Sequence, residues 1–135
     1  MQDIMLTYDT VEGAGAMEPS QLLDRWREQL RRGGLELAIL LSVASTPRYG
    51  LEIIRYLQES TDLVVTEGTI YPILGRLTRN GIVEAEWISG QSPHPRKYYR
   101  LSTEGRETLD EMLDHWESFR GKIDNLVETR RSIEP

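Results

Sequence analysis

Between Thr66 and Leu101 the chain places Arg76, Arg79, Arg96, Lys97 and Arg100, with His94 close to the last three. Guanidinium and ammonium groups recognise anions: they pair with phosphate oxygens, and a guanidinium can also span the two acceptors of a guanine edge. The preceding run T-E-G-T-I-Y-P adds Thr66, Gly68, Thr69, Tyr71 and Pro72, a mixture of hydroxyls and small residues that lets a backbone approach a surface closely. Other chemistries find no support. The chain has no P-loop, nucleophile elbow or zinc signature, so no catalytic residue is expected. With no cysteine and two isolated histidines, His94 and His115, neither a metal nor a cofactor is expected.

The elements that must position these cations can be read from periodicity. Ile70, Ile73, Leu74 and Leu77 share one face of a helix. At 100° per residue the opposite face carries Gly68, Pro72, Gly75, Arg76 and Arg79, flanked by Thr69 and Tyr71. Two starts fit. If Thr66 caps the helix, Pro72 lies beyond the first turn and removes a hydrogen bond; if Thr69 caps it, Pro72 costs almost nothing. Asn80-Gly81, both tolerant of left-handed backbone, predicts the stop. Residues 82–89 alternate as a strand, with Val83, Ala85 and Trp87 inward and Trp87 in the core. After the turn S-G-Q-S-P-H-P, residues 97–101 return as a second strand, Tyr99 and Leu101 inward and Arg96, Tyr98 and Arg100 outward. A helix followed by a hairpin with a basic tip spells a winged helix. The expected fold is mainly α with this small hairpin, plus an N-terminal helix and a long C-terminal dimerisation helix.

The rest of the chain supplies support and pairing. Residues 1–17 read as a disordered tail, 18–101 as the winged-helix domain with its N-terminal helix, and 102–131 as the dimerisation helix. From Ser20, Q-L-L-D-R-W-R-E-Q-L-R-R forms an amphipathic helix with Trp26 and Leu30 on one side, predicted to end at Gly33-Gly34. A second helix, apolar nearly all round, is predicted from Gly34 to Thr46, and a third from about Tyr49 to Ser60 as the first half of a helix-turn-helix. The final helix opens at Ser102-Thr103-Glu104-Gly105. In it Leu109, Met112, Trp116, Phe119, Ile123 and Leu126 alternate spacings of three and four, a heptad seam that needs a partner, most simply its own copy. Trp116 would face its copy there, and two facing indoles leave either a tight stack or a slot. His115, Phe119 and Trp26 could line such a slot, with Asp114 and Glu117 as polar edges for a small planar aromatic guest.

At 135 residues the chain fits one domain, able to bury roughly two-thirds of its unfolded surface. Its net charge of −6 would discourage a polyanion were it evenly spread. It is not: residues 66–101 hold five cations against Glu67, Glu84 and Glu86, giving +2, and the remainder carries −8. An acidic back and a basic face orient a protein toward DNA. No apolar run could span a bilayer and nothing resembles a signal peptide, so no membrane partner and a cytoplasmic location are expected.

Y-G-L-E-I-I, G-T-I-Y-P and R-K-Y-Y-R-L followed by S-T-E-G, in that order over about residues 20–128, resemble the PadR family of bacterial winged-helix regulators. The resemblance implies a cytoplasmic homodimer that binds double-stranded DNA, usually as a repressor. In H-W-E-S-F and K-I-D-N-L-V-E it is similar to short members that sense flat aromatic compounds. The alternative is a winged helix used as a protein-interaction adaptor without DNA binding, which would not need the five cations unpaired and on one face.

Overall fold

The computed structural model describes residues 15–90 and 93–134. The expected tail lies almost wholly outside them, as does the middle of the S-G-Q-S-P-H-P turn. In chain order the elements are α1 (Pro19–Ser42), β1 (Arg48–Tyr49), α2 (Gly50–Thr61), α3 (Glu67–Arg79), β2 (Val83–Ile88), β3 (Arg96–Leu101) and α4 (Thr103–Ile133). The chain divides into two compact units, at Gly34.

Two expected helices are one: α1 runs through Gly33-Gly34 without a stop. Glycine permits a helix to end but does not compel it, since termination needs a left-handed residue to turn the chain, and neither glycine has positive φ. In the first unit α1 is exposed along its length, Trp26 and Leu30 included. Its charged face carries Glu28 near Arg31 and Arg32.

The second unit holds the core. Ile39 and Leu40 from the end of α1 and Val43 just after it pack with Ile53 and Leu57 of α2, Ile70, Leu74 and Leu77 of α3, and Val83, Tyr99 and Leu101 of the sheet. Leu109 of α4 completes it, with Met112 and Leu113 partly buried against it. Ile70, Leu74 and Leu77 are thus the buried stripe that their spacing predicts. The sheet is antiparallel in the order β1-β3-β2, pairing Val83 with Leu101, Ala85 with Tyr99 and Trp87 with Lys97. Strand β1, pairing Arg48 with Tyr99 and Tyr49 with Tyr98, is an addition to the expected hairpin; two residues are too few to show an alternation.

Trp87 does not belong to the core. It shares the inward side of β2 with Val83 and Ala85 but is 66% exposed. Alternation sets which side of a strand a residue faces; burial also needs something packed opposite, and here the core ends near Ala85.

The turns explain the small residues. Helix α3 ends in a Schellman arrangement: Gly81 N–H donates to Thr78 O and Ile82 N–H to Leu77 O. Only Gly81 takes the left-handed conformation (φ +74°), while Asn80 stays at φ −85°. Ser102 then caps α4, its Oγ accepting from Gly105 N–H at 2.9 Å and donating to Gly81 O at 2.5 Å. A Cβ built on Gly105 would collide with the Ile82 carbonyl oxygen. The S-T-E-G run therefore fastens the wing to the start of α4.

Candidate nucleic-acid interface

Helices α2 and α3, joined by residues 62–66, form the helix-turn-helix. Asp62 ends α2 in the left-handed region (φ 61°), and Thr61 bridges the turn, donating to Leu57 O and accepting from Leu63 N–H. Thr66 caps α3, which decides between the two starts: Thr69 lies inside the helix, and the two hydroxyls bond each other at 3.2 Å. Pro72 is consequently interior, and the Gly68 carbonyl loses its helical donor, a cost of up to about 3 kcal/mol that recurs nowhere else in α3. Thr66, Gly68, Thr69, Tyr71, Pro72, Arg76 and Arg79 are all exposed, as a DNA-reading face requires.

Not all five cations are unpaired. Arg76 pairs with Glu36 at 3.2 Å, and Arg100 is held between Glu84 (3.2 Å) and Glu86 (3.0 Å) on the outer face of the wing. The outward carboxylates alternate in β2 directly beside Arg100, so the ladder itself makes this pair. Arg79, Arg96 and Lys97 make no ion pair among the described residues. The Arg79 guanidinium lies along α3 above Gly75, where a Cβ would come within 3.4 Å. Arg96 covers the Tyr49 ring at 4.4 Å, and Lys97 Nζ is 5.9 Å from the ring centroids of both Trp87 and Tyr99. His94 is exposed just before β3. Tyr98 is half-buried, edge-on to Tyr49 with centroids 5.4 Å apart.

A cleft of about 390 Å³ opens between the wing on one side and the start of α2 with Tyr71 of α3 on the other, bordered by Gly50, Tyr71, Trp87, Arg96, Lys97 and Tyr99. The Tyr71 ring rests on Gly50, where an added Cβ would lie 2.5 Å from its Oη. Burial, and then Glu67, raise the Tyr71 phenol above its ordinary pKa; burial, and then Tyr71, do the same for Tyr99. Both hydroxyls therefore remain donors at neutral pH. Tyr49, Gly50 and Trp87 are absent from the sequence-derived site. A surplus tryptophan on a wing strand was the available signal, misassigned to the core by alternation.

On α4 the seam splits. Leu109 is buried within its own unit and so leaves the expected dimer contact, and Met112 is partly buried there. Beyond them Trp116 (44% exposed), Phe119 (61%), Ile123 (42%) and Leu126 (66%) stand open, with His115 exposed beside them. Among the described residues no cluster of His, Asp or Glu could hold a metal, and no helix is long and apolar enough to cross a membrane.

A helix-turn-helix followed by a sheet whose hairpin carries unpaired cations defines a winged-helix DNA-binding protein. The chain belongs to the PadR-like family of transcriptional regulators, whose model matches residues 39–111. A PadR family regulator from Eggerthella lenta is 32% identical, covering 84% of this chain and 99% of its own, with a TM-score of 0.73. A PadR-like regulator from Bacillus cereus is 30% identical, covering 73% and 96%, with a TM-score of 0.68. An uncharacterised protein of Lysinibacillus sphaericus is 30% identical over 104 residues, 76% of this chain and 95% of its own. Proteins of this family are transcriptional regulators, not enzymes.

Proposed function

We propose that this regulator is a repressor that binds a pseudo-palindromic operator as a homodimer, with α3 in the major groove and Arg96 and Lys97 of the wing on phosphate. The carrying observation is the open apolar row Trp116, Phe119, Ile123 and Leu126 on α4. A two-fold pairing of α4 would cover it, with α1 as the second contributor. Half-sites are then expected one helical turn apart, about 34–36 Å. Replacing Phe119 and Ile123 by aspartate is expected to give monomers in sedimentation and to abolish operator binding. A variant that still sediments as a dimer removes α4 from the interface.

The same seam favours an effector site. Trp116 is half exposed at the start of the row, and with His115 and Phe119 beside it on α4 it supplies flat and polar surfaces for a planar aromatic compound. A guest held between subunits changes the spacing of the two recognition helices if it binds the two arrangements differently, and so releases DNA. Titration with a varied panel of planar dyes is expected to quench tryptophan emission in the parent and not in Trp116→Leu. Equal quenching in both, or none in either, leaves Trp116 a packing role only.

A further inference from the structure

We propose that the cleft between α3 and the wing seats the DNA phosphodiester strand that separates the major groove from the flanking minor groove, with Trp87 against deoxyribose and Lys97 on the adjoining phosphate. The inference rests on the DNA-binding reading above. A recognition helix fills the major groove while a wing reaches across its edge, and what lies between two adjacent grooves of a duplex is a ridge of sugar and phosphate. That ridge must pass between the two elements, where the structure has an opening of about 390 Å³.

The lining suits a sugar-phosphate and little else in the duplex. Aromatic rings come from both walls: Trp87 and Tyr99 from the wing and Tyr71 from α3 present ring surface of the kind that packs on the apolar face of a deoxyribose. The wing wall also carries the cation. Lys97 stands opposite Trp87 in the β2–β3 register, with its ammonium 5.9 Å from the centroids of both Trp87 and Tyr99, and Arg96 follows on the rim. Neither cation has a carboxylate partner among the described residues, whereas Arg100 on the outer face of the same strand has two. Lys97 on the inward side of the wing has thus been left unpaired, while Arg100 on the outward side is neutralised.

Trp87 is otherwise unaccounted for. Two-thirds of it is in water, on the face of the strand that points to the core but beyond the core's end. An indole left exposed next to an unpaired ammonium is the mark of a surface that is covered when a partner arrives. Gly50 belongs to the same site as a positioning residue, because a side chain there would drive Tyr71 out of the place it occupies on the cleft wall.

The test uses the full chain labelled with 5-fluorotryptophan and a duplex selected from a random pool. The chain has three tryptophans, and the resonance missing from Trp87→Phe identifies Trp87. On adding duplex, that resonance is expected to shift. Trp87→Ala is expected to weaken binding about five- to tenfold with the salt slope unchanged, because the lost contact is apolar, whereas Lys97→Ala lowers the slope by about one. If Trp87→Ala does not fold, the resonance in the parent decides alone. A parent that binds duplex with an unmoved Trp87 resonance overturns the cleft assignment and leaves DNA binding standing. A parent that retains no duplex overturns both.

Discussion

At the scale of residues, the cations divide by who sits next to them. Arg100 is claimed by Glu84 and Glu86 through the sheet register, and Arg76 by Glu36, forty positions away in sequence. The Arg76–Glu36 pair is about half exposed on both sides, where such pairs contribute about 0–1 kcal/mol, so its worth to folding is small. Its effect on DNA should be larger: a carboxylate beside the recognition helix both occupies the guanidinium and repels phosphate. Glu36→Gln is expected to tighten binding to a selected duplex about two- to fivefold with little change in melting temperature. Anisotropy titration at physiological salt checks it, and Arg76→Ala should erase the gain in a double-mutant cycle. Unchanged affinity in Glu36→Gln would place Arg76 away from the DNA.

At the scale of elements, what was legible in the sequence was whatever local pattern alone determines. The stripe of Ile70, Leu74 and Leu77, the two wing strands and the opening of α4 at Ser102 follow from period and cap chemistry, and the structure has them. Three misreadings share one cause, that a local pattern permits an outcome without compelling it. Gly33-Gly34 contains residues that can end a helix, yet no positive φ follows, and α1 continues. Trp87 alternates inward, yet nothing packs opposite it. Leu109 fits the heptad, yet the winged-helix core reaches it first, which shortens the open row to begin at Trp116. The interior Pro72 belongs here too: sequence allowed two starts for α3, and only the Thr66 cap, with Ile70 N–H bonded to Thr66 O at 3.0 Å, selects one. For the candidate site, residue types were legible and pairing was not, because an ion pair across forty residues leaves no periodic trace.

At the scale of the whole molecule, the relevant quantity is how many phosphates the protein neutralises, and salt dependence measures it directly. The remainder of the chain carries −8 against +2 on residues 66–101, so contacts outside the proposed face are disfavoured and the slope should count that face alone. Arg79, Arg96 and Lys97 are the cations there without a carboxylate partner among the described residues. Three per protomer in a dimer make six, and at about 0.9 per phosphate the slope of log K against log salt is expected to be about −5. Were DNA to open the Arg76–Glu36 and Arg100 pairs as well, five per protomer make ten, and the slope would steepen to about −9. The difference is well outside the error of a titration between about 50 and 200 mM salt, where six contacts already change affinity by roughly 10³-fold. A slope near −5 therefore says that the ion pairs survive on DNA and act to limit non-specific attraction. A slope near −9 says that they are broken on binding and that the free protein holds its recognition arginine in reserve. A slope near zero would remove the nucleic-acid interface and leave the winged helix as an adaptor for other proteins.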